Sequence, residues 1–261
     1  MKLVMKKYRK VVLKIGSALI SETNTSSSHL VNNLANQISN ADKDIQFIIV
    51  SSGAISQGMK ILNIDNKPID LESLQALAAI GQQKLMGLYE KSFSDVNRLI
   101  AQVLLTHDDM SDRNKYENAK ATIDKLLDLN IIPIINENDV VATEEIRFGD
   151  NDKLAAMVSK LIGADLMIIL TNQEGFFNKN PDEHDDAVLI KKCNIKDIDI
   201  DKYNSDEKSE LGTGGFKTKL QAVNLISKNG IDTVIASGFE NKVLLRILSN
   251  ENVGTFFSSD F

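Results

Sequence analysis

The sequence is poor in several things that would each have pointed to a particular class of protein. It has one cysteine, Cys193, so neither an intrachain disulfide nor a cysteine-based zinc site is available, which fits a reducing compartment. Three histidines lie far apart with no metal-ligand spacing, and no metal site is expected. Three prolines among 261 residues, with no low-complexity tract, exclude fibrous and disordered classes. There is no basic excess: the net charge is −6, so the surface lacks the field that drives binding to a phosphate backbone, and nucleic acid is not an expected partner. Long apolar runs are also missing. The basic N-terminal stretch leads into "VVLKIG", which Lys14 interrupts, so neither a signal peptide nor a membrane span is expected, and the location is expected to be cytoplasmic.

What is present is a repeated short pattern. Apolar runs rich in Val and Ile occur at Val11–Ile15, Gln46–Val50, Leu99–Leu105, Ile131–Ile135, Leu166–Leu170 and Thr233–Ala236. They mostly do not alternate with polar residues, as expected of strands buried on both faces. Helical patterns lie between most of them, at 30–39, 73–93, 114–129, 153–161, 216–228 and 242–248. Alternation of this kind predicts an α/β fold, a three-layer αβα sandwich around a mostly parallel central sheet. One domain over residues 1–261 is expected. The polar segment around 178–211 lacks periodicity and reads as a flap or hairpin over a site.

In open parallel sheets ligands gather at the carboxyl ends of the strands, so the residues following each run matter most. They are "KIGS", "SSGA", "NEND" and "TNQEG", and a polar segment ends in "GTGGFKTK" before a helix. "SSGA", with Ser52 and Gly53, suits an anion at a helix start, although an ordinary tight turn with serine as cap reads the same way. "GTGGFKTK" resembles a Walker A loop, but Phe216 stands where the glycine before the lysine is required; Gly212, Gly214 and Gly215 with Lys217 and Lys219, opening a helix, still make a phosphate loop. Lys14 stands at a strand end, and a second positive charge at Lys219 suits a transferring phosphoryl group. "FGDND" places Asp150, Asn151 and Asp152 at a helix start, where capping explains one of the three. A carboxylate between two lysines would hold both. "NEND", Asn136 to Asp139, offers acceptors for an ammonium, while "SSGA" could take the opposite carboxylate. These residues point to phosphoryl transfer from a nucleotide to a small acidic or amino-acid substrate.

The stretches "VVLKIGS", "IVSSGAISQG", "AAIGQQKLM", "IIPIINENDVVAT", "FGDNDKLAA", "LTNQEGF", "LGTGGFKTKLQAV" and "VGTFF" occur in this order, from Val11 to Phe257. Together they resemble the glutamate 5-kinases of the amino acid kinase family. The resemblance implies ATP-dependent phosphorylation of the L-glutamate γ-carboxylate, with Mg²⁺, as the first step of proline biosynthesis. It implies catalytic roles for Lys14, Lys219 and Asp152, glutamate binding by Ser52, Asp139 and Asn151, and nucleotide binding by Lys14, Thr171, Asn172 and the loop Thr213–Lys219. The amides of Gly16 and Gly53 are expected near the phosphates. Asn172 departs from the family pattern, which has aspartate there. The C-terminal PUA domain of many relatives is not expected. Proline as feedback inhibitor, a glutamyl phosphate reductase consuming the product, and a homo-oligomer are further expectations of the resemblance. Acetylglutamate or carbamate kinases, or a non-catalytic nucleotide- or amino-acid-sensing module on the same fold, remain the alternatives.

Overall fold

The apolar runs become the middle of an eight-stranded sheet in the computed structural model, which describes residues 7–21, 24–142, 151–181, 183–200 and 215–259. The strands are β1 (Lys10–Ile15), β2 (Gln46–Val50), β3 (Ile100–Leu105), β4 (Ile132–Glu137), β5 (Leu166–Thr171), β6 (Lys192–Cys193), β7 (Asp232–Ser237) and β8 (Thr255–Phe257), in spatial order β3-β4-β2-β1-β5-β7-β8-β6. All pairs from β3 through β7 are parallel; β8 runs antiparallel to β7 and parallel to β6. The polar and carboxyl-end residues of β1, β2, β4 and β5 therefore meet along one edge.

The helices are α1 (Ser17–Ser21), α2 (Asn24–Asn40), α3 (Ala54–Leu62), α4 (Leu71–Ser94), α5 (His107–Ser111), α6 (Arg113–Asp128), α7 (Asp152–Ile162), α8 (Phe216–Ser227) and α9 (Val243–Leu248). Side chains alternate across a strand, and β1 shows the result. Val11, Leu13 and Ile15 pack with residues of α2, α4 and α9, while Val12 packs with residues of α6, α7 and α8. This is the three-layer sandwich. The same alternation puts Lys14 on the α7/α8 side.

Three features depart from the pattern in the sequence. β3 is an edge strand paired only with β4, and Leu104 is exposed, so this run is not buried on both faces. β8 is too short to stand out as an apolar run, and the short helices α1 and α5 follow strand ends with no helical pattern of their own, while the helix expected after "SSGA" is α3. α3 sits unusually close to α4: a Cβ on Gly81 would lie 1.8 Å from the Ala54 carbonyl oxygen, and one on Gly58 2.0 Å from that of Leu77. Only glycine permits this approach. It holds the start of α3, and with it "SSGA", against the middle of α4.

Candidate active site

Two lysines from different parts of the chain converge on one carboxylate. Asp152 is the first residue of α7 and is fully buried. Lys14 Nζ, at the end of β1, lies 2.5 Å from its Oδ1. Lys219 Nζ, in the first turn of α8, lies 3.1 Å from its Oδ2. Both lysines are themselves buried. Burial pushes the Asp152 carboxyl up, but the two ammonium groups outweigh it and hold the carboxyl well below the ordinary range. The Thr218 hydroxyl faces Oδ2 at 3.2 Å and the Gly215 carbonyl at 2.8 Å, so its single proton is shared between them.

Asn151, immediately before Asp152, belongs to a second constellation. It is the residue at the N-cap of α7 but makes no side-chain capping bond. Its Nδ2 instead donates to the Ser51 carbonyl and to Asn136 Oδ1, each at 2.6 Å, and Asn136 Nδ2 donates to Gln82 Oε1 at 2.7 Å. Ser51 Oγ pairs with the Tyr89 hydroxyl at 2.9 Å. The capping explanation also fails at "SSGA": the N-cap of α3 is Gly53, left-handed at φ 94°, with no side-chain bond. Ser52 Oγ is buried and has no hydrogen-bond partner among the described residues. A buried hydroxyl in that state is uncommon in a folded protein and leaves a hydrogen-bonding group available at this turn.

Asp139 lies two residues past the end of β4, half-buried, beside a turn in which the Asn138 carbonyl accepts from the amides of Val141 and Ala142. Burial and the neighbouring Glu137 carboxylate push its pKa up to about 7, and Lys67 opposes them. Glu137 is buried and lies 3.5 Å from His107 Nδ1.

The positions expected to bind a nucleotide are less tightly knit. Thr171 ends β5 and its hydroxyl donates to Asn172 Oδ1 at 3.1 Å, with Asn172 exposed to solvent. Phe216 stacks on Phe176 at 5.2 Å between centroids, which anchors the start of α8. Lys217 is half-buried beside it. Thr213, Gly214 and Asp150 lie outside the described residues. Gly16 does not offer its amide as expected: the N–H donates to the Leu170 carbonyl at 2.9 Å, extending the β1/β5 pairing. Among the described residues no group of three or more His, Cys, Asp or Glu side chains is arranged to hold a metal ion. No helix among them is long and apolar enough to cross a membrane.

Lys14, Lys219 and Thr218 thus all contact Asp152, and its neighbour Asn151 links the cluster to the Ser51 carbonyl. Gln82 and Tyr89 were missed by sequence reasoning, because a glutamine or tyrosine inside a helix carries no pattern of its own. Asn136 had a signal: a polar residue continuing an otherwise apolar strand.

The profile of the amino acid kinase family matches residues 9–237. The chain belongs to that family. Among curated amino acid kinase family members it is similar to the glutamate 5-kinase of Marinomonas sp. (strain MWYL1), 43% identical over 258 residues that span 97% of this chain and 68% of the relative. It is likewise similar to the glutamate 5-kinase of Nitrosospira multiformis, at 45% identity over 98% of this chain and 69% of the relative. Among solved structures the UMP kinase of Bacillus anthracis aligns over 98% of both chains with a TM-score of 0.65 and 17% identity, a likeness of fold.

Proposed function

We propose that this chain transfers the γ-phosphoryl group of ATP to the γ-carboxylate of L-glutamate, forming L-glutamyl 5-phosphate and ADP, the first step of proline biosynthesis. The observation that supports this most directly is the adjacency of Asn151 and Asp152. One residue reaches the Ser51–Ser52 turn and the next holds two buried lysines, so the start of α7 ties an acceptor site to a phosphate site.

A carboxylate oxygen attacks the γ-phosphorus; the new O–P bond forms as the bond to the β,γ-bridging oxygen breaks, and that oxygen leaves with ADP. The attacking group carries no proton at neutral pH, so no general base is needed. This agrees with a carboxylate at Asp152 engaged by two ammonium groups and held far from protonation: it organises Lys14 and Lys219 and does not act as a base. The two lysines approach from different elements and stabilise charge spread over the transferring group. Lys14, Thr171, Asn172 and the segment ending at Lys219 would hold the nucleotide. Mg²⁺, which in such sites is bound largely by substrate phosphates and water, would neutralise phosphate charge during transfer. Ser52, Asn151 and Asp139 would hold glutamate, with Asp139 facing its ammonium.

Feedback inhibition by proline at the glutamate site, consumption of the labile product by a glutamyl phosphate reductase, and a homo-oligomeric cytoplasmic enzyme belong to the same reading. The test is ATP turnover with Mg²⁺ and L-glutamate, N-acetylglutamate, L-aspartate or carbamate, trapping acyl phosphate with hydroxylamine. Hydroxamate from glutamate alone is the expected result. Turnover with N-acetylglutamate or carbamate in its place would transfer the proposal to those substrates, and ATP binding without any hydroxamate would overturn it.

A further inference from the structure

The hydrogen bonds behind the acceptor site have a direction, and it is set from one end. The Ser51 carbonyl can only accept, so the atom of Asn151 facing it must be Nδ2. The second hydrogen of that nitrogen goes to Asn136 at 2.6 Å, which must present Oδ1. Asn136 then has its Nδ2 toward Gln82 at 2.7 Å, and Gln82 must present Oε1. Both hydrogens of Asn151 are thereby used, and its Oδ1 is left as an acceptor with no hydrogen to offer. Such a group suits a cation and cannot satisfy a carboxylate. We infer that Gln82 is a positioning residue that braces Asn136, and through it the Asn151 amide already oriented by the Ser51 carbonyl, so that the Asn151 acceptor is held in place for the substrate's α-ammonium group.

Two observations place Gln82 for the task. Its neighbour Gly81 is where α4 touches the start of α3, with no room for a Cβ, so Gln82 is delivered to the sheet edge by backbone contact and not by a flexible loop. Its Nε2 is buried with no partner among the described residues, so among them Oε1 is the end of the amide that is engaged. Removing the acceptor at position 82 leaves Asn136 Nδ2 without its partner and frees Asn136 to shift, and the Asn151 amide that it braces loses its fixed angle toward the ammonium.

The inference rests on glutamate being the substrate, so hydroxamate formation by the unaltered protein is measured first and alone decides that reading. Gln82→Met keeps the side-chain length and removes the acceptor; Gln82→Glu restores an acceptor at the same place. For Gln82→Met the KM for L-glutamate should rise on the order of tenfold, as loss of one buried hydrogen-bonded contact does. Its kcat, its KM for ATP and its inhibition by glutarate, which lacks the ammonium, should change by no more than about threefold, a factor small against that tenfold effect. Gln82→Glu should recover most of the glutamate KM. An unchanged KM in Gln82→Met would overturn the inference. So would parallel weakening of glutamate and glutarate in that variant, or no recovery in Gln82→Glu when both variants unfold at the same urea midpoint as the parent.

Discussion

Replacing Asp152 by asparagine keeps the shape of the side chain and removes its charge. At the observed separations of 2.5 and 3.1 Å, each lysine is attracted to the carboxylate by about 5–7 kcal/mol at an effective dielectric of 20. Desolvation offsets most of that, so the net worth of the cluster is far smaller, but removing one partner from a buried ion pair commonly costs about 3–5 kcal/mol. Asp152→Asn should therefore lower the unfolding free energy by an amount in that range, seen as a lower urea midpoint by circular dichroism. The pH dependence has a definite sign. In the parent, Asp152 is depressed below its ordinary value of 3.8, so its contribution is fully present above that pH and is lost as the pH falls toward the folded value. Turnover should fall on the order of 10²-fold, as when a transition-state charge contact is lost. A variant with the parent's urea midpoint and turnover within threefold would refute the reasoning.

Lys14→Ala and Lys219→Ala should each lower kcat by on the order of 10²-fold or more while the fold persists, measured as hydroxamate formed at saturating substrates. Asp139, raised to about 7, should bind the glutamate ammonium only when ionised. Between pH 6 and pH 8 the KM for glutamate should fall on the order of tenfold, and Asp139→Asn should abolish that dependence and leave the KM high. Because its folded pKa lies above the ordinary 3.8, ionising Asp139 costs stability as pH rises from about 4 to about 7, and Asp139→Asn should flatten that part of the stability profile. Gly81→Ala forces a Cβ to 1.8 Å from the Ala54 carbonyl, backbone against backbone, and should destabilise by about 3 kcal/mol or more in urea. Gly87→Ala, on the same helix with nothing within 4 Å of the new Cβ, should instead stabilise by about 0.5–1 kcal/mol.

The central strands were legible because burial on both faces leaves an apolar run with no polar interruption; Gln46–Val50 and Leu166–Leu170 match the observed strands to within a residue. The edges were not. β8 has three residues and β6 two, and their pairing depends on β7, to which nothing local in their own sequence refers. The helix start at "SSGA" was legible but its geometry was not: α3 begins at a left-handed glycine, with no serine side chain capping it. At the site, charged residues at strand and helix ends could be named from the sequence, and Lys14, Asp152 and Lys219 do meet. Gln82, by contrast, acquires its meaning from a helix-to-helix contact at Gly81 and a hydrogen bond to Asn136, both of which join residues distant in sequence.

The most direct test of direct phosphoryl transfer to a carboxylate follows one oxygen atom. L-glutamate labelled with ¹⁸O in both γ-carboxylate oxygens is incubated with the protein, ATP and Mg²⁺, and the product is left to cyclise: its amine attacks the acyl carbon and phosphate departs with the bridging oxygen. Phosphate carrying one ¹⁸O, read by ³¹P NMR or mass spectrometry, is the result expected if the glutamate oxygen attacked the γ-phosphorus between Lys14 and Lys219. Unlabelled phosphate would mean that water was the acceptor, and would contradict the account.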